Sequence, residues 1–217
     1  MRRSDGHRTR EAILDAAEYL FSINGLNGVS IRRITQRSST DLASVNYYFS
    51  TKEALFREVL VRRVRSMSVE RHKRLAGFRE TGDQLGDVRA LLDHFVSPLM
   101  GDTTEACQQL ANYRRLISLV ANSKVWQDQV FREHYDPTAK AFIDRLCTIL
   151  PGLPAPIACW GFNFFLGSLT NAMAETGRVD RLSDGACRST DLFTMKSQLI
   201  AFAAYALVCM QVKESTA

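Results

Sequence analysis

Along the first third of the chain, apolar residues return every three or four positions. Ile13, Leu14, Ala16, Ala17, Leu20 and Phe21 do so over residues 8–24, and Gly25 stands where a left-handed cap would end a helix. Ser30 is placed to cap a short helix that turns Ile31 and Ile34 inward, and the polar run 37–41 interrupts it. Asp41 opens a second short helix over 42–49, with Leu42, Val45 and Phe49 as its inward stripe. Ser50-Thr-Lys-Glu53 has capping-box spacing and starts a long helix that carries Leu55, Phe56, Val59, Leu60, Val64 and Met67 on one side and runs past Arg71. Gly, Thr and Asp crowd residues 77–86, which marks a linker. Further helices are expected over 88–99 (ending near Pro98), 104–122, 125–150 (bent or divided at Pro137), 155–175 and 190–212. No alternating strand pattern of useful length occurs. The pattern predicts an all-α chain: a three-helix helix-turn-helix domain at 1–51, a connecting helix at 52–76, and a larger helical domain at 77–217.

Two late segments, PIACWGFNFFLGSLTNAMA and SQLIAFAAYALVCMQV, are apolar nearly all round, and such helices need cover on every side. A second copy of the chain is the natural source. Phe162, Phe165 and Leu169 of the first segment and Leu199, Phe202, Tyr205 and Val208 of the second are the expected homodimer interface. Residues 146–174 carry no charge, but Pro151, Gly152, Pro154, Pro156, Asn163 and Asn171 break the run, so no membrane span is expected. The start, MRRSDGHRTREAI, has no apolar core of a secretory signal. Five scattered cysteines without CxxC spacing read as small apolar residues in a reducing cytoplasm, with no metal site and no cofactor.

Charge changes this picture. Residues 1–74 carry 15 Lys+Arg against 8 Asp+Glu, a net +7, whereas the remainder is −2, giving the chain its +5. A basic front third suits a polyanion, although a solvated charged helix would give the same count. The second short helix turns Ala43, Ser44, Asn46, Tyr47 and Tyr48 away from its apolar stripe. Rings that pack on sugars and thymine methyls, hydroxyls that donate to phosphates, and an amide that reads adenine form a surface suited to double-stranded DNA.

RTREAILDAAEYLFSINGLNGVSIRRIT followed by TDLASVNYYFSTKEALF resembles the DNA-binding domain of TetR-type transcriptional regulators, in particular the subgroup with an LAAVNYHF-like recognition helix. Carried over position by position, the resemblance implies that Ser30 and Arg32 meet phosphate or a base edge. It implies further that Thr40, Ser44 and Asn46 face the groove, that Tyr47 and Tyr48 meet the backbone, and that Lys52 meets a phosphate at a helix amino end. This sequence departs from the pattern twice. Ser39 stands where the family has a turn glycine, at a cost of about 1 kcal/mol if it is forced left-handed, and Tyr48 replaces a histidine. Arg2, Arg3, Arg8 and Arg10 form either a basic arm reaching an adjacent groove or a solvated, disordered tail.

Residues 75–217 assemble no catalytic machinery: the four histidines lie apart, and no P-loop, GxGxxG or Ser elbow is present. An enzyme is therefore not expected. Aromatic-rich helices instead suit a ligand site between them, lined by Phe95, Tyr113, Arg114, Arg115, Ile117, Trp126, Phe131, Trp160 and Phe164. Arg114 and Arg115 stand in the apolar run LANYRRLISLV, so one buried there needs an internal carboxylate or an anionic ligand. The resemblance implies a small, lipophilic effector in this domain and a homodimeric repressor released from a palindromic operator. The alternative is a DNA-binding architectural or spatial regulator of the same fold, controlled by a protein partner and without a small effector.

Overall fold

The structure, a computed structural model, describes residues 2–101 and 104–211, with the side chains of residues 2–5, 104 and 129 outside the described set. The described residues are helical without a strand, in the order α1 Arg2–Asn24, α2 Ile31–Ser38, α3 Leu42–Tyr48, α4 Lys52–Gly77, α5 Gln84–Met100 and α6 Thr104–Val120. After these come α7 Lys124–Trp126, a π-helical turn Gln127–Phe131, α8 Arg132–His134, α9 Asp136–Ile149, α10 Ala155–Met173, α11 Arg178–Leu182 and α12 Leu192–Cys209.

Side chains at the amino ends set the short elements. Ser30 Oγ accepts from Arg33 N–H at 3.3 Å, Asp41 Oδ1 from Ser44 N–H at 2.6 Å, and Thr51 Oγ1 from Ala54 N–H at 3.0 Å. The cap of α4 is thus Thr51 rather than Ser50. The turn between α2 and α3 keeps the left-handed geometry of a glycine turn with Ser39 in place (φ 54°, ψ 39°). Thr40 N–H donates to Thr35 O at 3.0 Å, and the Ser38 and Thr40 hydroxyls meet at 2.7 Å, so local bonds hold the strained residue.

α1 runs along α4, and their contact has an apolar and an ionic part. Phe21 meets Phe56 edge-on at 5.0 Å, and Phe56 lies 4.6 Å from Trp126. Beside them Glu18, itself buried, accepts from Arg62 at 2.6 Å and Arg63 at 3.3 Å, while Arg62 also reaches Asp15 at 2.7 Å and Glu11 at 3.2 Å. Burial works against the Arg62 charge, but the Glu18 and Asp15 carboxylates outweigh it and raise its pKa. Arg10 bonds Glu58 at 2.7 Å, and Arg57 bonds Glu133 at 3.2 Å. Much of the basic excess of α4 is therefore an ion network within the molecule.

Several elements differ from the sequence pattern for local reasons. The Asp87 carboxylate accepts from Thr81 N–H at 3.0 Å and Gly82 N–H at 3.1 Å, which closes the linker and lets α5 begin at Gln84. Pro98 lies within α5, which ends at Gly101 (φ 72°). Pro137 starts α9 after the π turn, and α11, not expected, is held where Asp180 accepts from Ser189 N–H at 2.9 Å.

The larger domain centres on Phe95 of α5, with Phe142, Phe162 and Phe165 edge-on to it at 5.2, 5.4 and 5.8 Å. Gly161 lets α12 approach α10: a Cβ there would stand 2.5 Å from Leu207 Cδ2. Among the described residues α12 alone is long and apolar enough to cross a membrane by length and composition; it lies along α5 and α10, with Lys196 paired to Asp93 at 2.6 Å.

Replacing Ser39 by glycine removes the left-handed penalty but loosens the unfolded chain, so Ser39→Gly is expected to stabilise by a few tenths to about 1 kcal/mol. Urea denaturation measures it, and a destabilised variant would mean that the Ser38–Thr40 bonding outweighs the strain.

Candidate nucleic-acid interface and ligand cavity

α2 and α3 pack on α1 through Ile34, Val45 and Phe49, all buried. Leu42 does not join them and is 57% exposed, because α3 has fewer than two turns and its first residue lies beyond the α1–α2 junction. The opposite face of α3 stands free. Tyr47 is 82% exposed beside exposed Asn46, Ser44 is half-buried, and Ser30 and Arg32 of the neighbouring helix start are exposed. The Arg32 guanidinium has no partner among the described residues, whereas Arg33 donates to Gly28 O at 3.2 Å and Arg37 lies over the Tyr19 ring at 3.5 Å.

Three of the expected contact residues have structural ties. Tyr48 is half-buried, edge-on to Tyr47 at 4.9 Å, and its hydroxyl sits against α1 at Gly6, where a Cβ would come within 3.1 Å. Lys52 Nζ donates to Val29 O at 3.1 Å, which fixes the start of α4 beside the Ser30 cap. The Thr40 hydroxyl is engaged with Ser38. The basic arm is instead the first turns of α1: Arg10 is bound to Glu58, Arg8 is exposed, and the side chains of Arg2 and Arg3 lie outside the described residues.

The second domain holds a cavity of about 440 Å³. Phe95, Tyr113, Ile117 and Phe131 line it, together with Arg71, Tyr135, Phe162 and Leu166. Five residues expected there do not. Arg114 is buried but turns to the Leu99 and Cys107 carbonyls at 3.1 and 3.0 Å, so backbone oxygens take the place of the expected carboxylate or ligand. Arg115 pairs with Glu175 at 2.9 Å, Trp126 packs on Phe56, and Trp160 and Phe164 face outward from α10.

The two faces of α10 thus exchange roles relative to the pattern. Phe162, Phe165 and Leu169, expected at an interface, are buried in the core around Phe95, while Trp160 and Phe164 stack at 5.7 Å on the outside. On α12, Leu199 turns inward, Val208 is half-buried, and Phe202 and Tyr205 are exposed, Phe202 by 64%. The outer faces of both late helices therefore carry large rings in solvent.

The pattern of bacterial regulatory proteins of the tetR family matches residues 13–59, which span α1 to α4. That of the tetracyclin repressor-like C-terminal domain matches residues 93–205, more than half of the chain. The chain belongs to the TetR family. Its fold is also that of solved structures: a regulator assigned to this family from Mesorhizobium loti (20% identity, TM-score 0.61, covering 95% of this chain and 98% of that one) and a regulator from Streptomyces coelicolor (19%, 0.58, 91% and 97%). A third, the TetR regulator TylP from Streptomyces fradiae, gives 16%, 0.55, 99% and 88%. No curated protein matches the chain.

As a TetR-family protein it is a DNA-binding transcriptional regulator and not an enzyme. Most of the other lining residues escaped the sequence reading, Tyr135 and Arg71 among them. Tyr135 was visible only as one aromatic among many, but Arg71 had a signal: it continues the Val64, Met67 stripe at helical spacing, so an arginine occupies a core position.

The two neighbouring phenols separate in a stability measurement. Tyr47→Ala is expected to stay within about 0.5 kcal/mol of the parent, whereas Tyr48→Ala, which strips a ring packed on α1, is expected to cost on the order of 1–2 kcal/mol. Equal losses in thermal denaturation would contradict this placement.

Proposed function

We propose that this TetR-family regulator is a homodimeric repressor that binds a palindromic operator through α3 and leaves it when a small lipophilic effector enters the cavity. The observation that carries the reading is the position of α4. Its first residue, Lys52, is bonded to the turn ahead of α2, and about five helical turns later Arg71 forms part of the cavity wall. The π turn Gln127–Phe131 adds a second link, since Gln127 and Phe131 line the cavity while adjoining Trp126 packs on Phe56 of α4. A ligand that favours one arrangement of these walls biases the reading head by its differential affinity alone, typically about 1–3 kcal/mol.

On DNA, Asn46, Ser44 and Thr40 face the major groove, Tyr47 and Arg32 meet the backbone, and Ser30 adds a phosphate contact at the start of α2. Tyr48 and Lys52 act mainly by holding α3 and α4 in place, with Lys52 near enough to the α2 amino end to add charge. The TDLASVNYYF segment supports the subgroup with an LAAVNYHF-like recognition helix. Residues 1–51 form the reading head, 52–76 the connecting helix and 77–217 the effector and dimerisation part. The outward rings Trp160, Phe164, Phe202 and Tyr205 support a four-helix interface with a second copy, which would set two reading heads about one DNA turn, ~34–36 Å, apart or slightly more. The protein acts in the cytoplasm.

Two measurements test this reading. In gel shifts on an operator selected from random DNA, Arg32→Ala and Tyr47→Ala are expected to weaken binding about tenfold, with the Arg32 variant lowering the salt slope by about one, and Asn46→Ala to change sequence preference. Unaltered binding in all three would exclude α3 as the reading element. In sedimentation equilibrium, Phe202→Glu with Trp160→Glu is expected to give the 24.4 kDa monomer where the parent gives a dimer; a parent that sediments as a monomer rejects the interface.

A further inference from the structure

The cavity is mostly apolar, with Asn122, Gln127, Asn163 and Thr170 among its lining, and Arg71 is the buried cation in its wall. It is 4% exposed, and it meets no carboxylate among the described residues. Its Nε donates to Phe95 O at 2.9 Å, and its guanidinium lies 3.9 Å from the Phe95 ring centre. No described residue accepts a hydrogen bond from its two terminal nitrogens. Other withdrawn arginines are treated differently: half-buried Arg62 has three carboxylates and buried Arg114 two carbonyls. A guanidinium held out of water without an anion is costly, and it persists where something else supplies the charge.

Tyr113 and Tyr135, on the same wall, share a short hydrogen bond between their hydroxyls. Burial lowers Arg71 only to about 10 and raises Tyr113 to about 12, so at neutral pH the guanidinium is charged and the phenols keep their protons. One phenolic proton is used within the pair, and the other is left to donate. An oxyanion accepts from a guanidinium and a phenol together, and a carboxylate is the one a mostly hydrocarbon wall accommodates with a single charge. On the remaining wall Phe131, Ile143, Phe162 and Leu166 offer hydrocarbon contact beside the polar Asn122, Gln127, Asn163 and Thr170, while the exposed Asp136 and Lys140 belong to the rim.

We propose that the cavity takes an amphipathic organic acid, its carboxylate bound by Arg71 and the Tyr113–Tyr135 hydroxyl pair and its apolar body lying against Phe131, Phe162 and Leu166. The proposal rests on the cavity being the effector site and adds the charge of the ligand and the residue that reads it. Because Arg71 belongs to α4, the same ion pair places the ligand's charge on the helix that supports the reading head.

The test is calorimetric titration of the full chain with decanoate, decanol and decylamine. Decanoate is expected to bind at least roughly tenfold more tightly than decanol, and decylamine more weakly than either. Arg71→Met, which keeps the length and apolar bulk of the stem, is expected to abolish the preference for the acid while retaining decanol binding. Arg71→Lys keeps the charge and is expected to retain part of the preference, so it serves if the Met variant does not fold. Equal affinity for decanoate and decanol in the parent, or an acid preference that survives in Arg71→Met, overturns the proposal but leaves a lipophilic effector site standing. Failure of all three compounds to bind overturns the effector site itself.

Discussion

The molecule depends on the lengthwise contact between α1 and α4, and within it on the buried Glu18 carboxylate bridged to Arg62 and Arg63. Charges at that depth are stable only as a satisfied set, and either partner left alone would be an uncompensated buried ion. The set specifies one register of α1 against α4, because Asp15 and Glu11, each a helical turn further along α1, reach the same Arg62. With the register fixed, the apolar pairs Phe21–Phe56 and Phe56–Trp126 close beside it. α4 consequently packs against α1 at one end and lines the cavity with Arg71 at the other.

Around that helix the larger domain solves a packing problem with more apolar surface than one chain can cover. α10 has rings on both sides, and the Phe95 cluster takes one of them. Gly161 brings α12 close enough to shield the inner edge but leaves Trp160, Phe164, Phe202 and Tyr205 outside. An exposed patch of this kind is what the proposed association with a second copy would cover. The cavity lies on another side of the same helix, so the cavity and the exposed rings share α10 as a common wall.

Residue order revealed the helices because their stripes and caps are local: Ser30, Asp41 and the Val45, Phe49 edge can be read without knowing what they touch. The free face of α3 was legible for the same reason. Which side of α10 looks inward was not, since Phe162 and Phe164 are chemically alike and only long-range packing on Phe95 separates them. Arg114 misled because backbone carbonyls, which carry no side-chain signature, satisfy it. Ser50 and Thr51 are equivalent caps in composition, and Leu42 was lost to the shortness of its helix. Ser39 shows the opposite case, where the sequence signal against a left-handed turn was real and neighbouring hydroxyl and amide bonds overrode it.

The closeness of Gly6 to the Tyr48 hydroxyl ties the opening turns of the chain to the DNA-facing helix. Any side chain at position 6 must displace that phenol or be displaced by it, and Tyr48 in turn leans on Tyr47. A larger residue at position 6 would therefore act on the exposed Tyr47 through this buttress, shifting the two phenols while leaving the α3 residues themselves unchanged.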